Sequence, residues 1–123
     1  MINVRFISSA PSRAPDLVTA YNTSSTSLVV KWSHVQRPFF QGKPIGYRII
    51  YYPVDLERDF NFVSVKYTTN TTTLNELDVY TMYAIKVSAV SSGGKGPEKS
   101  TYASTGSNTI LFLYCLVTDS LFL

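Results

Sequence analysis

The chain alternates apolar and polar residues in short runs, and turn-forming residues separate one run from the next. "DLVTAY" follows Pro15 and is closed by the polar stretch "NTSSTS"; in "SLVVKW", Leu28, Val30 and Trp32 alternate with Val29 and Lys31. "IGYRIIYYP" sets Tyr47, Ile49 and Tyr51 on one face and Arg48, Ile50 and Tyr52 on the other, and Pro53 ends the ladder because it has no N–H to donate. "FVSVKY" divides into Phe62, Ser64 and Lys66 against Val63, Val65 and Tyr67. "YAIKVSAV" divides into Tyr83, Ile85, Val87 and Ala89 against Ala84, Lys86, Ser88 and Val90. A short "TTTLNEL" and a polar "EKSTYAST" complete the set. "HVQRPFFQGKP" is expected to be a loop broken by Pro38, Gly42 and Pro44, and "SSGGKGP" a glycine-rich turn. Period two marks strands with one buried face. Seven short strands with no convincing helix predict an all-β fold, an antiparallel β-sandwich.

One set of spacings narrows this further. Pro15, Val18 and Ala20 precede "TSLVVKW", which ends in Trp32, and "GYRIIYY" precedes "LNELDVYTMYAIKVSAVSSGGKGP". Over about Ala14 to Thr105 this resembles a fibronectin type III domain. The resemblance implies a seven-stranded sandwich of immunoglobulin-like topology with Leu77, Thr81 and Tyr83 at the family's corner positions. It implies that the Tyr83 ring lies in the core while its hydroxyl reaches back to the backbone of the preceding turn. It also implies that Trp32 packs against Tyr47, Ile49, Ile85 and Val87. Val79 stands where the family usually has proline, and Tyr80 is read as a loop or edge residue. On this reading residues 1–13 are a linker, 14–105 the domain, and 106–123 a hydrophobic tail outside it.

Composition supports a folded domain rather than a disordered one, with 45% hydrophobic and 15% charged residues in 123. Nine Tyr and seven Phe favour strands. A net charge of +3, spread from Arg5 to Lys99 without a basic run, argues against nucleic acid as a partner. The one cysteine, Cys115, can form no internal disulfide, which excludes a small disulfide scaffold and a disulfide-pinned immunoglobulin domain.

Catalytic and metal chemistry find little support in the residues present. A Ser–His–Asp arrangement would have to use the one histidine, His34, which is expected on a surface loop with no nucleophile elbow near it. With one His and one Cys a zinc site has too few ligands. "DLERD" alternates Asp55, Glu57 and Asp59, but Phe60 stands where a calcium loop needs glycine and Lys66 where it needs glutamate. It is read as a charged hairpin tip. "GGKGP" lacks the spacing of a phosphate loop. No catalytic, cofactor-binding or metal-ligating residue is expected, and no cofactor or small-molecule substrate. The chain also lacks Arg-Gly-Asp and a second tryptophan, so it carries neither an integrin tripeptide nor a Trp-Ser-x-Trp-Ser pattern.

The expected chemistry is therefore recognition of other proteins, including neighbouring domains of the same chain. Arg48, Tyr52 and Lys86 fall on the outward face of two central strands, and Tyr and Arg are favoured interface anchors. Phe39 and Phe40 are adjacent, so in extended chain at least one would be exposed on the "RPFFQGKP" loop. Two glycosylation sequons, Asn22-Thr23-Ser24 and Asn70-Thr71-Thr72, are both expected in inter-strand turns.

These readings, with the resemblance, imply a non-catalytic spacer and protein-binding module from the ectodomain of a cell-adhesion molecule, cell-surface receptor or matrix protein, without its signal peptide. The alternatives are a scaffold module of an intracellular muscle-type protein and an ectodomain appendage of a receptor-type tyrosine phosphatase or kinase. The apolar stretch Ile110–Val117 is too short to span a bilayer. Even extended to Leu123 as a helix it reaches about 21 Å against roughly 30 Å of hydrocarbon, and Asp119 interrupts it. A truncated membrane span and sequence appended by a gene model or splice form are the two readings of it.

Replacing Trp32 by Ala is expected to cost about 3–5 kcal/mol of a total of roughly 5–15 kcal/mol, measured by urea denaturation. A loss below about 1 kcal/mol would remove Trp32 from the core.

Overall fold

The computed structural model describes residues 9–106. They form β1 (Asp16–Ser24), β2 (Ser27–Ser33), β3 (Pro44–Pro53), β4 (Asn61–Lys66), β5 (Thr71–Leu74), β6 (Met82–Ser91) and β7 (Gly94–Ser104). A three-stranded sheet, β1-β2-β5, packs on a four-stranded sheet, β4-β3-β6-β7, and every pairing is antiparallel. The sandwich expected from the alternation is thus the architecture observed. The tail segment Ile110–Leu123 lies outside the described residues.

The period-two pattern decides what is buried. Leu28, Val30 and Trp32 of β2 face Tyr47 and Ile49 of β3 and Tyr83, Ile85, Val87 and Ala89 of β6 in one cluster, closed by Val35, Phe40, Leu74 and Leu77. Full burial of each large side chain contributes roughly 1.5–3 kcal/mol. Two phenols inside this cluster are satisfied by backbone. The Val35 N–H donates to Tyr47 Oη at 2.9 Å, and the Asp78 N–H donates to Tyr83 Oη at 2.9 Å. Thr105 anchors the same corner as Tyr83, with its hydroxyl on the Asp78 carbonyl at 2.6 Å and accepting the Thr81 N–H at 3.0 Å.

Tyr47 gathers three further rings. Trp32 lies 5.4 Å away and tilted, Phe40 meets it edge-on at 6.0 Å, and His34 stacks at 6.1 Å from the loop side. Trp32 and the rest of the core are therefore locked to the β2–β3 connection.

Several local features differ from the sequence reading. The β1–β2 connection is the two-residue turn Ser25–Thr26, so β1 continues through Asn22 to Ser24. The "GGKGP" stretch is mostly strand: the chain turns at Ser92 and Gly93, and β7 starts at Gly94, whose φ of 130° suits glycine. Pro97 is accommodated because β7 is an edge. Residues Arg37–Phe40 form a 3-10 turn, with Pro38 as its second residue and Gln41 ending it at a left-handed φ of 56°. Residues 9–12, placed in a linker by the sequence reading, pack on the domain. Ser9 N–H donates to the Gln41 carbonyl at 2.8 Å, Ser12 N–H to the Phe39 carbonyl at 2.9 Å, and Ser91 Oγ to the Ser9 carbonyl at 2.6 Å.

Burial raises the pKa of both tyrosines above the ordinary 10.0, each partly offset by the backbone N–H it accepts. The fold therefore favours the neutral phenol. That stability is fully present below the unfolded value near pH 10 and is lost as pH rises through the raised folded values. Tyr83→Phe is expected to cost about 0.5–1.5 kcal/mol at pH 7 and to lose stability less steeply than the parent above pH 10. Urea titrations at pH 7 and across the alkaline range measure both. Equal alkaline slopes would contradict a phenol held neutral by the fold.

Candidate protein-binding surfaces

The alternate residues of the four-stranded sheet, those not in the core, make a continuous outer face. The register aligns Ser64 of β4, Arg48 of β3, Ser88 of β6 and Glu98 of β7 in one row. The next row is Phe62, Ile50, Lys86 and Ser100, and beyond it stand Tyr52, Ala84 and Tyr102. Phe62 and Tyr102 are 54% and 63% exposed, at opposite margins of the sheet. The sequence reading singles out neither, although each is a lone aromatic on the polar parity of its strand.

Cations lie between these aromatics. The Arg48 guanidinium sits over the Phe62 ring at 5.0 Å, within cation–π range. The Lys86 ammonium lies 5.6 Å from the centre of the Tyr52 ring, and the nearby Tyr52 hydroxyl is the main cause that holds its pKa above the ordinary lysine value. Under this layer Arg48 Nε and Ser88 Oγ are buried and find no partner among the described residues. The face carries Arg48, Lys66 and Lys86 against Glu98, whose carboxylate is engaged by Lys95 at 2.9 Å. Cations outnumber carboxylates among these sheet positions, and an acidic group would complement them.

The sequence candidates distribute unevenly over this geometry. Arg48 and Lys86 stand on the outer face, half-buried. Tyr52 shares that face but is only 9% exposed, because it lies among Lys86, Ala84 and the neighbouring strands. It positions Lys86 rather than presenting its own ring. Phe40 is 2% exposed and belongs to the core, which corrects the expectation that it is available on a loop. The physical reason is the 3-10 turn: at three residues per turn, adjacent side chains diverge by roughly 120° instead of pointing to opposite faces. Phe40 points inward, and Phe39 lies half-buried beneath the Arg13 guanidinium at 3.9 Å.

Around Phe39 there is a shallow groove lined by Arg13, Asp16, Leu17, His34 and Phe39. Leu17 is 75% exposed at a left-handed φ of 52°, where a β-bulge interrupts the β1–β2 register between Asp16 and Thr19. "DLERD" forms a short 3-10 turn at Glu57–Asp59 with its acidic residues exposed. Among the described residues no group of three or more His, Cys, Asp or Glu converges.

The sequons also differ from each other. Asn70 is exposed in the turn before β5, and its carbonyl accepts the Trp32 N–H at 3.1 Å, which fixes the backbone and leaves the side chain free to project. Asn22 is not in a turn: it lies within β1, opposite the fully buried Leu28, and is half-buried. Two-residue closure of the hairpin draws it into the sheet.

Comparison with known proteins agrees with this geometry. Residues 10–105 match the family model described as "Fibronectin type III domain". The chain is 33% identical over 102 residues to "MAM and fibronectin type III domain-containing protein 1" of Acropora millepora, covering 77% of this chain and 23% of that protein. It is 26% identical over 100 residues to "Cell adhesion molecule DSCAML1" of Gallus gallus, covering 80% of this chain and 5% of that protein. It thus spans less than a quarter of the length of either relative. Among solved structures, the crystal structure of chicken CNTN1 FN1-FN3 domains superimposes with a TM-score of 0.70 at 33% identity, covering 78% of this chain and 33% of that one. With its two sheets, its corner tyrosine and the family match over residues 10–105, this chain belongs to the fibronectin type III domain family.

Proposed function

We propose that this chain is a non-catalytic protein-binding and spacer module of a cell-surface or extracellular adhesion protein, and that it binds through the outer face of its four-stranded sheet. The observation that carries this reading is the layer formed by Phe62, Arg48, Lys86 and Tyr102. Exposed aromatics are interleaved there with cations on a rigid sheet, over two buried polar atoms that have no partner among the described residues. Aromatic and Arg anchors surrounded by polar residues are the features that carry energy in protein interfaces. The positive balance of the face points to a partner that presents carboxylates. An adhesion setting is supported by the relative named as a cell adhesion molecule and by the exposed Asn70 sequon.

The extracellular part of this reading is tested by directing the chain into a secretory pathway. Asn70 is expected to receive a glycan and Asn22 to receive little or none, because its side chain is half-buried in β1. Intact-mass analysis of the parent, Asn70→Gln and Asn22→Gln chains measures this. An unmodified parent would remove the support that the Asn70 sequon lends to the adhesion reading.

The binding face is tested with the chain fused to a dimeric Fc and overlaid on cultured neuronal and epithelial cells. The double variant Arg48→Glu/Lys86→Glu is expected to reduce the bound fusion at least about tenfold, a change of roughly 1.4 kcal/mol. Leu17→Ser, on the groove at the other surface, should leave binding unchanged. Binding lost with Leu17→Ser and kept in the double variant would move the site to the groove.

A further inference from the structure

The two sheets present four edges, and three of them are obstructed. The β7 edge carries Pro97 and the Lys95–Glu98 ion pair, and Pro11 packs so closely on Gly96 that a Cβ there would meet the Pro11 carbonyl at 2.7 Å. β1 is broken by the bulge at Asp16–Thr19 and a second irregularity at Asn22–Ser24. β5 has four residues. The six residues of β4, "NFVSVK", have no proline, no glycine and no bulge against β3, and among the described residues one side of the strand pairs with no other strand. Natural proteins usually obstruct such an edge, since its open N–H and C=O groups template further pairing.

We infer that β4 is a self-pairing edge, and that a second copy of this chain adds to it antiparallel about a two-fold axis through Ser64, joining the two four-stranded sheets into one. The occupant follows from the order of residues along the strand. In this register Phe62 stands opposite Lys66 of the second copy and Lys66 opposite its Phe62. Val63 stands opposite Val65, and Ser64 faces its own counterpart. The outer-face pairs match cation to aromatic ring. The inner-face pairs extend the core, because Val63 and Val65 already pack against it but are only partly buried at the free edge. Lysine on an edge normally repels an added strand, and a register centred on Lys66 would set it against its own copy. The Ser64-centred register gives each Lys66 a ring instead. A slip of one residue would put the valines against the polar side. Of the two-fold registers, the Ser64-centred one alone sets Phe62 against Lys66 and Val63 against Val65 at the same time. Pairing at this edge shares Phe62 with the outer-face site proposed above but does not rest on that reading, because it uses the backbone of β4 and requires no other protein.

The full chain in a Cys115→Ser background is the material for the test, with sedimentation equilibrium as the first measurement. A monomer–dimer equilibrium is expected. Phe62→Lys sets the introduced ammonium against Lys66 of the second copy at two symmetric positions and should weaken dimerisation about tenfold. Phe62→Lys/Lys66→Glu restores opposite charges and should recover it. Trp32 fluorescence and thermal melts confirm that each variant is folded. Cysteine cross-linking reads the register. Ser64→Cys brings the two Cα atoms to about 4.5–5.5 Å, within the range that a disulfide bridges, so oxidation should give a covalent dimer. Asn61→Cys places them roughly 20 Å apart and should stay monomeric. A chain that is monomeric up to millimolar concentration would overturn the inference. So would an assembly indifferent to Phe62→Lys, one abolished only by removing residues after Gly106, or equal cross-linking at both positions.

Discussion

The hydroxyl of Tyr47 is a polar atom placed inside an apolar core, and the fold is arranged so that it is not left alone. A buried hydroxyl without a partner costs about 1–3 kcal/mol. The Val35 N–H supplies the partner at 2.9 Å, which requires the chain leaving β2 to pass directly over the end of β3. That path fixes the start of the β2–β3 connection and brings His34 to stack on the same ring. The 3-10 turn farther along then delivers Phe40 to its edge. Trp32 packs on Tyr47 from the other sheet. One hydrogen bond and three ring contacts thus tie both sheets and the loop to one side chain. Tyr83 does the same at the opposite end of β2, where the Leu77 N–H also bonds to the Thr26 carbonyl and Thr105 closes the corner.

With both ends of the sandwich held by side-chain-to-backbone bonds, the outer face of the four-stranded sheet is released from structural duty. Its residues alternate with core residues on the same strands, so a rigid core means a rigid display. Arg48 sits between Tyr47 and Ile49, and Lys86 between Ile85 and Val87, all four neighbours fully or almost fully buried. The cation–aromatic layer is held in place by packing on the reverse side of the sheet, which lowers the entropy lost when a partner is bound. The groove around Leu17 and Phe39 lacks that backing, since a β-bulge and a loop form its walls.

The parts of this structure legible in the sequence are those that period two controls. Leu28/Val30/Trp32, Tyr47/Ile49 and Tyr83/Ile85/Val87 alternate cleanly, and the strand positions and core faces follow from that alternation. Positions governed by other rules are not legible in this way. The two-fold alternation of extended chain does not apply to Phe39 and Phe40, where a 3-10 turn with a left-handed Gln41 at its end operates instead. Tyr52 has the parity of an exposed residue and is covered by neighbours from adjacent strands, which one strand cannot reveal. Asn22 lies in a polar run with the composition of a loop, yet the hairpin closes in two residues and keeps it in the ladder. The glycines of "GGKGP" suggest a long turn, whereas only Ser92 and Gly93 make it, and an edge strand tolerates the proline that follows. Phe62 and Tyr102 become one surface only once the register of four strands is known.

Amide hydrogen exchange at Val35 tests the central role of the Tyr47 hydroxyl most directly. Val35 lies outside any strand, and its N–H bonds to a side chain rather than to a ladder carbonyl. If the Tyr47 contact organises the fold, this amide exchanges only through global unfolding, with a protection free energy equal to that of the β3 and β6 amides. Exchange at the rate of an exposed loop amide, while β3 and β6 remain protected, would contradict the account.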